Sequence, residues 1–328
     1  SLPAAYIADY FKIPLAWFLG PMLITSLVTL GGIETKMPKL ALSSTLIILG
    51  LYIGNYIDKS LFQQMHQWFW TSLVMLIYIV VSVLIVSKYL EKFSGYDKKT
   101  SIFSAAPGAL GPLMILAEGE KSDLSRVATS HLIRLIIIIT IFPFIVNSFY
   151  NVETNIINLN PDLPQSKIDL VYLILLSIVL IIIFDKFKVP AALLSGTLVA
   201  SGFLQITELA SYKISDDIVN VCLLILGSSV GCRFANKSFK EISNNALHSF
   251  VATIMLVALG LAAALVAGLF IDENFFTLLL SYCPGGIYEV AVIAIFFDLD
   301  PEFVSFHHII RLLLILFIVP VILRLVQK

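Results

Sequence analysis

Two arginines stand where arginines are costly. Arg134 lies within Leu132-Ile133-Arg134-Leu135-Ile136, and Arg311 within Ile309-Ile310-Arg311-Leu312-Leu313. A cation at the centre of so apolar a helix costs about 2.5–3.5 kcal/mol on insertion scales, so each should face a partner inside the protein. One use is to hold a negatively charged ligand. Another is to lock onto backbone carbonyls or acidic side chains and so hold the protein together; an arginine near a helix end can also reach out to the interface. His131 and His308 precede the arginines by three residues, on the same helical face. Glu289 is a lone carboxylate in an apolar stretch. It suits proton coupling, because burial favours its neutral form, and it suits equally a plain salt bridge to Arg311.

A second chemistry-bearing pattern is backbone rather than side chain. The chain reads Ala106-Pro107-Gly108-Ala109-Leu110-Gly111-Pro112 in one apolar run and Cys283-Pro284-Gly285-Gly286 in another. Proline removes a helical hydrogen bond and glycine frees the backbone, so both runs should unwind part-way. Non-helical backbone at membrane depth survives only where protein covers it or where it lines a wet cavity. Paired interrupted helices in two related halves point to a transporter's substrate site. The plainer reading is a packing kink. The expected substrate-binding set is Pro107, Gly108, Arg134, Pro284, Gly285, Gly286, Glu289 and Arg311, with His131 and His308 behind it.

Metal and redox chemistry find little footing. The histidines are His66, His131, His248, His307 and His308, with no i, i+4 pair around a carboxylate and no Cys/His cluster. Cys222, Cys232 and Cys283 lack CxxC spacing and read as buried small hydrophobes. No phosphate-binding glycine motif is present. We therefore expect no catalytic residue, no metal, no cofactor and no enzyme activity.

The elements that must carry these residues are apolar helices. Hydrophobic residues make up 59% of the 328 positions and charged residues 13%, and mean hydropathy is +0.95. Soluble domains sit near half apolar and a quarter charged, so the composition predicts a polytopic membrane protein. A net charge of −1 gives no hint of nucleic acid. Candidate segments run near 14–32, 39–57, 68–90, 101–117 and 127–148, then 169–187, 190–206, 217–234, 247–271, 274–296 and 303–326. No alternating pattern suggests a barrel. The first eleven residues resemble the tail of a counterpart to 169–187, which leads us to expect a native helix upstream of Ser1.

The segments repeat. Pro107 and Pro284 are 177 apart, as are Gly50 and Gly227, Gly54 and Gly231, Asp123 and Asp300, His131 and His308, Arg134 and Arg311, and Pro143 and Pro320. With a one-residue slip, Lys12-Ile13-Pro14 matches Lys188-Val189-Pro190. The chain thus reads as a first repeat over 1–150, a polar connector over 151–168 and a second repeat over 169–328. Lys and Arg favour cytoplasmic loops. If every segment crosses, the copies are parallel and the loop cations divide almost evenly. If 101–117 and 274–296 enter and leave on one side, the copies invert, and only Lys12, Lys59, Lys167 and Lys213 fall outside. We therefore expect two inverted all-α repeats, each with about five spanning helices and one broken or re-entrant element.

The proline-glycine breaks, the Leu49–Gly54 and Leu226–Gly231 LGxxxG elements and the His-x-x-Arg helices together resemble the AbrB family of duplicated bacterial membrane proteins. That family is often labelled an ammonia monooxygenase or a regulator of aidB expression, and is distinct from the DNA-binding regulator of the same name. Its PGG-x-x-E pattern is kept at Pro284, Gly285, Gly286 and Glu289, and eroded in the first copy, where Pro112 takes the acidic position. A more distant likeness is to bile-acid/sodium symporters, whose crossed broken helices hold the substrate. The resemblance implies a multi-pass protein of the bacterial inner membrane that carries a small solute, such as an organic anion, driven by protons or another ion. A membrane-embedded regulator of gene expression is the alternative. The lipid bilayer and a small-molecule substrate are the expected partners, and two-copy transporters of this kind often form homodimers.

Overall fold

Proline and glycine cut the apolar runs into more helices than there are segments. The computed structural model describes residues 1–55, 57, 61–150, 167–189, 191–210, 212, 214–235 and 239–326. Among them lie fourteen helices and no strand: α1 (Leu2–Tyr10), α2 (Ala16–Leu30), α3 (Lys39–Gly54), α4 (Leu61–Ser94), α5 (Lys98–Ala105), α6 (Leu110–Gly119), α7 (Leu124–Tyr150), α8 (Lys167–Lys186), α9 (Ala192–Thr207), α10 (Asp216–Cys232), α11 (Phe239–Ala267), α12 (Phe275–Tyr282), α13 (Ile287–Phe296) and α14 (Pro301–Val326). The expected connector over 151–168 lies outside the described residues, save for the start of α8.

Four helices are long and apolar enough to cross a membrane, over Trp68–Ser94, Leu124–Phe149, Asn245–Ala267 and Pro301–Val326. Their starts pair at the 177-residue offset. Large apolar side chains such as Leu73, Ile77, Leu84 and Ile85 stand exposed along α4, a surface that suits lipid better than water. Backbone detail follows the same offset. Asp97 and Asn274 cap α5 and α12, and each side chain accepts from an amide of the first turn, Thr100 N at 3.0 Å and Phe276 N at 2.8 Å. Lys121 and Asp298 both take positive φ, at 57° and 54°.

The described fold divides into two compact units, each drawing on both sequence halves. One comprises Ser1–Met65, Pro143–Asn236 and Ala291–Glu302; the other comprises His66–Phe142, Lys237–Val290 and Phe303–Lys328. Small residues organise the first. A Cβ at Gly50 would stand 2.5 Å from the Leu194 carbonyl oxygen, and one at Gly54 2.6 Å from that of Leu198, so α3 and α9 pack backbone to backbone. Gly227 abuts Phe18 and Gly231 abuts Thr25 in the same way, joining α10 to α2. In both pairs the contacts advance in one direction, so the paired helices run parallel. This is the close approach that small-xxx-small spacing permits.

The second unit holds both interruptions. Helix α5 begins where α6 ends: Lys99 Nζ lies 2.7 Å from Glu120 Oε2, and Asp123 N donates to Thr100 Oγ1 at 3.0 Å. The two therefore form a hairpin with its tip at Pro107. Helix α7 sets out from the open end of this hairpin. Helix α14 arrives there: Pro320, Leu323 and Arg324 share a recess of about 350 Å³ with Ile115, Leu116, Gly119 and Glu120. The two His-x-x-Arg helices thus run in opposite directions.

Candidate functional site

Both interruptions are built alike. Helix α5 stops at Ala106 (φ −61°, ψ 129°) and α12 at Cys283 (φ −61°, ψ 131°). Each chain then turns tightly over its proline. Gly108 N donates to Ala106 O at 2.9 Å, and Gly285 N to Cys283 O at 2.8 Å. Gly108 sits at φ 130° and Ala109 at φ 60°, so the first break relies on the freedom that glycine brings. Half-helices α6 and α13 resume beyond.

The histidines explain the His-x-x-Arg spacing. His131 Nε2 lies 3.0 Å from Phe103 O, and His308 Nε2 lies 3.1 Å from Leu280 O, both carbonyls near the C-terminal ends of the interrupted half-helices. Their Nδ1 atoms meet Arg134 Nη2 at 2.5 Å and Arg311 Nη2 at 3.0 Å. A guanidinium has no acceptor, so Nδ1 accepts and Nε2–H donates. Each imidazole is therefore neutral with its tautomer fixed. It satisfies a helix-end carbonyl on one side and orients an arginine on the other.

The arginines then diverge. Arg311 is fully buried; its Nη1 donates to Cys283 O and its Nη2 to Gly285 O at 2.6 Å. It clamps both exposed carbonyls of its own break, at the negative end of α12. A Cβ on Gly108 would stand 3.2 Å from Arg311 Nη2, so the first break also rests on this guanidinium. Arg134 is 3% exposed and, among the described residues, hydrogen-bonds only to His131. Glu289 is buried, and its carboxylate folds over Gly286, where an added Cβ would stand 2.8 Å from Glu289 Cδ.

The expected residues therefore gather in one unit: Pro107, Gly108, His131, Arg134, Pro284, Gly285, Gly286, Glu289, His308 and Arg311. Sequence reasoning passed over a neighbouring network. Tyr282 OH donates to Thr71 O at 2.6 Å, Thr71 Oγ1 meets His307 Nε2 at 2.7 Å, and His307 Nδ1 faces Phe303 O at 2.9 Å. The 177-residue offset held the signal, since it sets Thr71 opposite His248 and His307 opposite Ser130. Ser130 Oγ meets Ser249 Oγ at 3.2 Å. Among the described residues no group of three or more His, Cys, Asp or Glu could hold a metal ion.

Comparison with known proteins settles the lineage. The family described as "Transition state regulatory protein AbrB" matches residues 4–327. The chain belongs to the AbrB family. It is 22% identical to "Uncharacterized protein YhjN" of Bacillus subtilis (strain 168), with all of this chain and 91% of that protein covered. It is 23% identical to "Putative regulator AbrB" of Escherichia coli (strain K12), with 96% and 91% covered. No solved structure matches. The AbrB match spans both breaks and both His-x-x-Arg helices, so the site lies wholly within the family's shared length.

Proposed function

We propose that this AbrB-family protein is a secondary transporter of a small solute in the bacterial inner membrane, with its substrate site at the paired breaks. One observation carries the reading: Gly108 of the first break lies against the same buried guanidinium that holds the carbonyls of the second. Irregular backbone from two separate helices is thereby brought to one charged group, where a site needs it. An organic anion suits two buried arginines, and Glu289 is the group on hand to exchange a proton. The opposed directions of α7 and α14 support inverted repeats, and so does the pairing of α3 with α9 and α10 with α2. The hairpin of α5 and α6 supports re-entry of that element rather than a full crossing.

The reading includes no covalent chemistry. Stoichiometric copper or iron in the purified protein would overturn that part and favour a monooxygenase. A membrane regulator is the second reading, favoured by the name of the Escherichia coli relative. Reconstitution into proteoliposomes separates the two. A proton or sodium gradient should drive accumulation of a labelled small anion, and collapse of the gradient should release it. Absence of uptake across a metabolite panel, together with a soluble protein that copurifies in fixed ratio, would give the regulator reading the lead.

A further inference from the structure

The arginines of the two breaks are alike in sequence and unlike in occupation. We infer that Arg134 is the residue that grips the ligand, through a single carboxylate, whereas Arg311 belongs to the frame; the inference rests on the substrate-site reading above. A guanidinium offers five N–H donors in a planar fork. In Arg311 the Nη atoms are directed at the carbonyls of Cys283 and Gly285 and at His308, and Nε is covered by Gly108. Nothing is left for a ligand to take.

Arg134 commits one nitrogen, Nη2, to His131. That partner is a neutral imidazole and brings no charge. Among the described residues no ion pair reaches Arg134, although it is 3% exposed. An edge of its fork remains, which is the geometry that binds one carboxylate through two parallel hydrogen bonds.

Hydroxyls near the first break repeat the contrast. Ser101 and Ser104 flank Phe103 on α5, and Thr129 lies on α7; all three are buried without a hydrogen-bond partner among the described residues. Ser281, the counterpart of Ser104, donates instead to Thr277 O at 2.8 Å. Buried polar groups left this way call for water or a polar ligand. The first break is the side with donors to spare, and a short monocarboxylate is the ligand class that uses them.

The test is thermal unfolding of the full chain in detergent with acetate, butyrate, benzoate and succinate, against chloride at equal ionic strength. A ligand bound only by the folded state raises the midpoint by mass action. The monocarboxylates should raise it in the wild type at millimolar concentration. Arg134→Gln should unfold near the wild-type midpoint yet show no carboxylate shift, and Arg134→Lys, which keeps the charge but not the fork, should bind about tenfold more weakly. Arg311→Lys should unfold at lower temperature and keep the shift. Should Arg134→Gln fail to fold, Arg134→Lys carries the same comparison. A full shift in Arg134→Gln, or none in the wild type, overturns the inference. Gradient-driven uptake by a wild type that shows no shift would leave transport standing and remove only the carboxylate; loss of both would remove both.

Discussion

The two breaks share their turn geometry, their capped half-helices and their histidines, yet only one is tied down. At the second, Arg311 closes over the carbonyls that the interruption exposes. At the first, Arg134 reaches no further than its histidine. A duplicated element can thus keep one copy as a rigid abutment and leave the other free to respond. The acidic position follows the same division, since Glu289 folds over the clamped break and Pro112 stands at its place in the first.

The largest effect should come from removing the clamp. Arg311→Ala leaves the carbonyls of Cys283 and Gly285 without their donors in an apolar interior, at about 1–3 kcal/mol for each orphaned group. With the cavity it opens, the loss should reach about 3–5 kcal/mol, seen as a marked fall in unfolding midpoint and in the yield of folded protein. Arg134→Met, by contrast, exchanges a buried charge for an apolar side chain and should change stability by about 1 kcal/mol or less. Equal losses from the two would erase the distinction between the breaks.

Glycine substitutions sharpen the comparison at the next scale. Gly108→Ala forces a Cβ into φ 130° and against Arg311, and should cost about 1–3 kcal/mol. Gly286→Ala meets only the carboxylate of Glu289, whose rotatable bonds let it swing aside, so it should cost less than about 1 kcal/mol. Paired melts of the two variants decide this, and a costlier Gly286→Ala would mean that Glu289 is fixed where it lies. His131→Ala and His308→Ala each orphan one carbonyl, at about 1–3 kcal/mol. Only His131→Ala should also weaken ligand binding, because it leaves Arg134 unoriented.

Where these residues stand in the sequence explains what could be foreseen. Pro107 and Pro284 announce the interruptions through local chemistry, and the three-residue step from His131 to Arg134 places both on one helical face. Apolar surroundings mark the arginines as buried. None of this says what the guanidinium touches. The partners of Arg311 lie about 28 residues earlier in the chain, at carbonyls exposed only once α12 has ended, so the clamp depends on backbone that the sequence merely permits to unwind. Arg134 has the same spacing from Ala106 and lacks the same bonds. Thr71 and His307 were missed for a related reason: 236 residues separate them, and a threonine in an apolar run carries no signal of its own.

The smallest effect is a pH dependence that belongs to one hairpin alone. Asp97 and Asn274 hold equivalent caps, but only the aspartate titrates. Partial burial pushes the Asp97 carboxyl up; hydrogen bonds from the Thr100 hydroxyl and from the Thr100 and Lys99 amides pull it down further, leaving it below the usual aspartate range. A depressed carboxylate stabilises the fold above its unfolded value and loses that contribution as pH falls through the lower, folded one. Acidification below about pH 4 should therefore loosen the start of α5 while α12 keeps its cap. The cap itself is worth about 1 kcal/mol, so Asp97→Ala should raise amide exchange in the first turn of α5 about fivefold at neutral pH. Asp97→Asn should restore protection and remove the acid sensitivity, making the first hairpin behave as the second does. If α12 instead responds to acid as strongly as α5, the pH effect arises elsewhere, and the two caps do not differ in the way their chemistry requires.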